Sequence, residues 1–197
     1  MNTNKFEALN LNFDALFYER CEKYIALLQQ WGRVHNFTAE LQTYQIEDNM
    51  VDSLYPLKFL ETFNSFADIG TGAGYPGMIL ALARPDTKAV LIEPRNKRVA
   101  FLNFVKSALK LENLQVIGKR VEEVQNEEPF DLITSRAVTN TSLLLELTQN
   151  IAHEKTHYLF YKGSLLNDEL EKAKIHAYTI VNVDERNYLY IKNKGVV

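Results

Sequence analysis

The stretch Phe66 to Gly77, FADIGTGAGYPG, sets four glycines and a proline directly after a short apolar run. A chain gives up side chains at a turn where its backbone must approach something closely or take a left-handed conformation. Around this turn the sequence alternates. FADI, KAVLIE, LQVIG, FDLITS and HYLFYKG read as strands. PGMILALA, NKRVAFLNFVKSALKL, TSLLLELTQNIA and LLNDELEKAKIHAY read as helices between and after them. The helix opened by Pro76 is apolar nearly all round and so is expected to be buried. Strands alternating with helices imply a mostly parallel sheet with helices on both faces. TIVNVDE and NYLYIK close the chain as a hairpin, which puts one antiparallel strand into that sheet.

Before Ser65 there is no strand pattern. Phe13, Leu16, Phe17, Tyr24, Leu27, Leu28 and Trp31 recur at helical spacing, and Gly32 suits the position just past the end of that helix. A weaker helix is expected from about Tyr44 to Leu54, with Pro56 near its end. The chain therefore divides into a helical extension over 1–62 and an α/β domain over 63–197, packed as one unit. With 197 residues, 46% of them apolar, there is material for a substantial core. The single cysteine, Cys21, excludes a disulfide framework and a cysteine metal site; it reads as a small buried hydrophobe, and no metal is expected. There is neither a membrane-length apolar run nor a signal-peptide pattern, so a cytoplasmic, membrane-free protein is expected; a monomer is the accompanying expectation.

In an open α/β sheet the ligand binds beyond the carboxyl ends of the strands, where Gly70 to Gly77 falls. Gly70 and Gly72 permit a tight turn, and Gly74 lets a ligand reach the backbone. Gly72-Ala-Gly74-Tyr-Pro-Gly77 fits the dinucleotide pattern G-x-G-x-x-G, which alone is a weak signal and keeps a nicotinamide enzyme open. Asp68-Ile-Gly70-Thr-Gly72-Ala-Gly74 fits a second pattern, an acid inside the strand followed by G-x-G-x-G, which characterises class I S-adenosylmethionine-dependent methyltransferases. A carboxylate at Asp68 would repel a pyrophosphate and welcome a cationic amino acid and sulfonium. Glu93 ends the second strand, 19 residues after Gly74, where an acid grips ribose hydroxyls. Val121 and Glu122, after the third strand, are expected beside the adenine.

Arg136 ends the fourth strand, near where the methyl group would point. It either pairs with a buried acid such as Asp68 or Glu122 or sits where donor and acceptor meet; the second role is favoured. No D/N-P-P-Y/F motif stands there to hold an adenine amino group, and no cysteine to attack a pyrimidine ring. Asp131 begins its strand, at the wrong end for a base. His35, His153, His157 and His176 read as helix-end or surface residues. No catalytic base is assigned. An acceptor that loses no proton, such as guanine N7, would need only proximity and alignment, with Arg136 as the positioning candidate.

The net charge of −3 speaks mildly against bulk nucleic-acid binding, but Arg84 to Arg120 holds nine Lys or Arg against three Asp or Glu. A local basic face can neutralise phosphates on an acidic chain. Lys97 and Arg98 lie in it. Lys162, at the end of the fifth strand, is either a phosphate contact or a solvated lysine.

Taken together, Asp68-Ile-Gly-Thr-Gly-Ala-Gly-Tyr-Pro-Gly77, Lys97-Arg98, Arg120-Val-Glu-Glu123, Phe130-Asp131 with Ser135-Arg136-Ala137, and Tyr161-Lys-Gly163 resemble the bacterial 16S ribosomal RNA methyltransferase G family, also called glucose-inhibited division protein B. The likeness extends to Trp31 with Asn36-Phe-Thr-Ala39, Asp52-Ser-Leu54 and Glu185-Arg186 through Ile191-Lys192, and so covers about Tyr24 to Lys192. It implies a Rossmann-like class I methyltransferase fold and transfer from S-adenosylmethionine to N7 of one guanine of 16S ribosomal RNA, free or in the 30S subunit or its precursor. It implies cofactor contacts at Gly70, Tyr75, Val121, Glu122 and Arg136, and RNA contacts at Lys97 and Arg98. The chain departs from the family at Gly32, where Asn is common, at Glu93-Pro94-Arg95, where Asp-Ser is common, and at Asn187, where His is common. A methyltransferase acting on another RNA or a small molecule, and an RNA-binding protein without turnover, are the competing expectations.

Overall fold

In the computed structural model, the run Ser65–Ile69 forms β1, and all of its residues after Ser65 are buried. A strand apolar on both faces belongs in the middle of a covered parallel sheet. There β1 lies, paired in parallel with β2 (Lys88–Ile92) on one side and β4 (Leu132–Arg136) on the other. β3 (Leu114–Ile117) follows β2, and β5 (His157–Lys162) follows β4, both parallel. β7 (Arg186–Ile191) adds antiparallel to β5, and β6 (Thr179–Val183) pairs antiparallel with β7 at the edge. The order is β3-β2-β1-β4-β5-β7-β6, a class I methyltransferase arrangement in which β7 is the one antiparallel strand. The structure describes residues 1–35, 41–125, 128–163, 166, 170, 177–183 and 186–192. The helix expected over LLNDELEKAKIHAY, Asn36 to Ala39, His176 and Glu185 fall wholly or largely outside them.

The strands' alternating residues feed two cores. Phe66, Leu91, Leu132, Leu159, Tyr161 and Tyr188 face one layer of helices. It comprises α1 (Asn4–Glu7), α2 (Ala15–His35), α3 (Thr43–Leu54), α4 (Gly77–Ala83) and α5 (Asn96–Leu109). Ala67, Ile69, Val90, Ile92, Ile133 and Phe160 face the other layer, which includes α6 (Thr141–Leu147) with its Asn140 side chain capping Leu143 N–H. The N-terminal helices thus share a core with the sheet: Phe17, Tyr24, Leu28, Met50 and Leu54 pack into the same cluster as Phe66 and Phe101. Cys21 is buried there, and burial pushes its thiol well above the ordinary range.

Gly32 corrects the sequence reading. α2 continues through it to His35, so it is no helix end. A Cβ at Gly32 would collide with a methyl group of Leu41, and the bare position makes room for the chain entering α3. Among the described residues, no helix is long and apolar enough to cross a membrane, and no three His, Cys, Asp or Glu gather as metal ligands.

Candidate active site

The glycine turn begins as an extension of the sheet, with Gly70 N–H donating to the Ile92 carbonyl at 2.8 Å. It then folds on itself: the N–H groups of Gly74 and Tyr75 both donate to Thr71 O, at 2.8 and 3.0 Å. Gly70 and Gly74 take φ of +66° and +110°, a region closed to most side chains. A Cβ on Gly70 would stand 2.5 Å from Val138 Cγ2, so the turn after β1 presses against the turn after β4. The carboxyl ends of these neighbouring strands form one unit.

Asp68 anchors that unit from below. It is fully buried; Oδ2 accepts Gly77 N–H at 2.9 Å and Oδ1 accepts the Thr134 hydroxyl at 2.8 Å. Burial pushes its carboxyl up to about 6, against the opposing pull of the Thr71 and Thr134 hydroxyls, the Gly77 N–H and the Arg136 charge. Sequence reasoning aimed this carboxylate at a bound cation. The structure turns it inward, where it ties the start of α4 to β1 and β4.

Glu93 reaches the turn from the end of β2. Its Oε2 accepts Gly72 N–H at 3.0 Å, and its Oε1 accepts Arg95 N–H at 3.0 Å. Arg98 approaches Oε2 at 3.5 Å. The expected ribose acid and the expected glycine loop are therefore in direct contact. Arg98 was expected on an outward basic face together with Lys97. It instead points toward Glu93 and Gly72, whereas Lys97 is exposed.

After β3, Val121 heads a short 3-10 turn to Glu123 and is buried against the second core. Asn150 Nδ2 fixes this turn through the carbonyls of Val121 and Val124, at 2.8 and 2.6 Å. Glu122 is exposed beside Arg120.

On the β4 side, Arg136 lies 4.9 Å over the Tyr75 ring, a cation–π arrangement that joins it to the glycine turn. Its Nη1 donates to Asn49 Oδ1 at 2.7 Å and Asp52 Oδ2 at 3.2 Å. Among the described residues its ion pair is with Asp52, and neither Asp68 nor Glu122 takes that place. Asp52 Oδ1 accepts in addition from Arg186 Nε at 3.0 Å and from the Tyr188 hydroxyl at 2.8 Å. α3 thus carries the anchor of the β4 arginine. Sequence reasoning quoted Asp52 and Arg186 but did not join them. It also missed Tyr24, whose hydroxyl donates to Ala73 O at 2.8 Å and holds the glycine turn against α2.

Lys162 is buried, and its ammonium donates to Thr139 O at 3.0 Å, so it is neither a solvated lysine nor an exposed phosphate contact. Asp131 accepts the N–H groups of Asn64 and Ser65, at 2.8 and 3.1 Å, at the amino-terminal end of the central strands, opposite the glycine turn. His157, at the start of β5, contacts the Tyr190 hydroxyl there, and His153 contacts Thr156. His35 lies tilted against Trp31 at the end of α2, with ring centres 4.5 Å apart.

The family profile described as GidB, rRNA small subunit methyltransferase G, matches residues 18–194. The ribosomal RNA small subunit methyltransferase G of Aliarcobacter butzleri is 63% identical over 186 residues, covering 94% of this chain and 95% of that protein. The protein of the same name from Wolinella succinogenes is 45% identical over 187 residues, covering 95% of each. Among solved structures, a methyltransferase from Geobacter sulfurreducens superposes with a TM-score of 0.63 at 16% identity, over 87% of this chain and 89% of that one. A putative S-adenosylmethionine-dependent methyltransferase from Methanococcus maripaludis superposes with a TM-score of 0.61 at 14% identity, over 95% and 98%. At such identities the structural likeness speaks for the fold alone.

Proposed function

The chain belongs to the rRNA small subunit methyltransferase G family, and from that premise we propose that it methylates N7 of one guanine in 16S ribosomal RNA, using S-adenosylmethionine. The observation that supports the reading is the bond from Gly72 N–H to Glu93 Oε2, which joins the carboxylate expected to grip the ribose to a turn bare of side chains. Glu93 offers hydroxyl-accepting oxygens, Gly72 offers close backbone approach, and Val121 with Glu122 would border the adenine; Gly74, expected to do the same as Gly72, is buried and packs against Met78 and Leu102. When bound, S-adenosylmethionine supplies an electrophilic methyl group on a sulfonium. Tyr75 and Arg136 stand together on the β4 side, suited to orienting the acceptor.

Guanine N7 fits this site because it presents an in-plane lone pair and no proton has to be removed. From Leu132 to Asn140, β4 and its turn hold no carboxylate, thiol or imidazole. The adjacent Asp52 carboxylate is already occupied by Arg136, Arg186 and the Tyr188 hydroxyl, which hold it as an anchor of the cleft wall. Rate enhancement would come chiefly from proximity and orientation. The RNA would be met as naked 16S RNA or as the 30S subunit or its precursor.

The test is to incubate the protein with a labelled methyl donor and unmodified 16S RNA or 30S particles and to map the modified atom. One guanine labelled at N7 is the expected result. Label on another base or another RNA overturns the acceptor. A thermal shift given by NADH and withheld by S-adenosylhomocysteine overturns the cofactor.

A further inference from the structure

α2 runs past the glycine turn and beyond it. Tyr24 contacts the turn through Ala73, and Trp31 follows two helical turns later, roughly 10 Å further along the axis. There Trp31 is held among rings: Phe104 stacks on it at 5.3 Å with planes 30° apart, Phe101 lies at 5.8 Å and His35 at 4.5 Å. Phe101 is buried, whereas Phe104 is 41% exposed, an outward-facing ring backed by the Trp31 indole. Nearby at the end of α2, Val34 is 73% exposed.

The two helices that carry these rings bear charge of one sign here. α5 carries Lys97, Arg98 and Lys106 and no acid; the end of α2 from Gln29 to His35 carries Arg33 and no acid. Lys97 stands two turns before Phe104 and therefore shares its face of α5. An exposed aromatic ring backed by a second ring and bordered by cations fits an unpaired nucleotide, whose base stacks and whose phosphate is neutralised. A ring at an ordinary core position would be covered, and a solely electrostatic surface would need no ring.

We propose that Phe104, backed by Trp31 and flanked by Lys97, is a stacking platform for an unpaired base of the substrate RNA at the rim of the methyl-transfer cleft. This rests on the RNA-methyltransferase reading for its partner, but direct binding can test it without turnover.

The protein is titrated at fixed salt with an unmodified 16S RNA transcript and with a short single-stranded oligoadenylate. Trp31 is the chain's only tryptophan, so its emission reports contact at this site. Phe104→Ala and Phe104→Leu are expected to weaken binding of both probes about ten-fold, and Phe104→Tyr to stay within about two-fold of wild type. Affinity for S-adenosylhomocysteine should be the same in all four proteins, which shows that each is folded. If Phe104→Leu binds RNA as wild type does, no stacking platform exists and the proposal falls. It falls equally if the variants lose affinity for 30S particles, titrated alongside, and not for the two RNA probes, because the occupant is then a ribosomal protein. Absence of methyl transfer in a wild type whose RNA binding still depends on the Phe104 ring overturns the catalytic reading and leaves the platform standing.

Discussion

The Arg136 guanidinium and the Asp52 carboxylate meet at 3.2 Å, joining the end of β4 to α3. Because Asp52 also takes Arg186 and Tyr188, one side chain gathers β4, β7 and the N-terminal helices at the mouth of the site. α3 is therefore part of the cleft wall and cannot be regarded as a detachable cover. Arg136 keeps one nitrogen on α3 while its guanidinium carbon lies over the Tyr75 ring of the glycine turn.

Two substitutions separate anchoring from function here. Arg136→Ala should reduce methyl transfer by at least about 100-fold while the urea midpoint changes little, since Asp52 keeps Arg186 and Tyr188. Asp52→Ala should reduce transfer less, about ten-fold, but lower stability by about 1–3 kcal/mol, because two arginines and a tyrosine lose their acceptor. A double-mutant cycle on transfer rates should show coupling between the two positions. Additive effects would mean that α3 does not position the arginine.

Glu93 gives a cofactor-side prediction. Glu93→Gln retains the shape and one acceptor for Gly72 N–H but removes the charge that would strengthen bonds to ribose hydroxyls. Hydrogen bonds to charged groups contribute about 1.5–3 kcal/mol, so S-adenosylhomocysteine should bind at least about ten-fold more weakly by calorimetry. Equal affinity in the two proteins would remove Glu93 from the cofactor site.

The strands, the buried helix after Pro76 and the places of Glu93 and the glycine turn at neighbouring strand ends were legible because each depends on local pattern or on a strand end shared by folds of this type. Arg98 was misjudged for a reason the sequence did contain. It lies three, four and seven residues before Phe101, Leu102 and Val105, all buried, so helical phase turns it inward; Lys97, one residue away, is rotated by about 100° toward solvent. Asp68 was harder. A carboxylate at a strand end serves equally well as an outward cation contact or as an inward acceptor, and only the approach of Gly77 N–H decides between them. At Gly77 a Cβ would stand 2.6 Å from Asp68 Cβ, which explains the glycine that the turn pattern could not. The Asp52 cluster spans up to 136 positions, and no periodicity links such distant partners.

Asp68 predicts a pH dependence of stability. Its carboxyl holds a proton up to about pH 6 in the folded chain, against 3.8 for an unperturbed aspartate. Between those values the folded state binds more protons than the unfolded state, so this group's contribution to stability falls as pH rises from about 4 to about 6 and is constant above. Urea unfolding of wild type and Asp68→Asn across pH 4–7 should show wild type losing stability relative to the variant over that window, by an amount on the order of 2–3 kcal/mol. A difference independent of pH would mean that Asp68 ionises as a solvated carboxylate does.

Lys97 and Arg98, adjacent in sequence, should respond oppositely to alanine substitution. Lys97 is exposed on the face that carries Phe104, so its removal should lower the slope of log affinity for RNA against log salt by about one and leave folding stability unchanged. Arg98 is directed at Glu93, so its removal should leave that slope as it is. It withdraws the counter-charge from a carboxylate only 1% exposed, and the unfolding free energy should therefore fall, by about 1 kcal/mol given the partial exposure of the arginine. Filter binding across a salt series and urea titration of the two variants measure both quantities. A reduced slope for Arg98→Ala would return that arginine to the RNA face, because a side chain held on Glu93 has no phosphate to release.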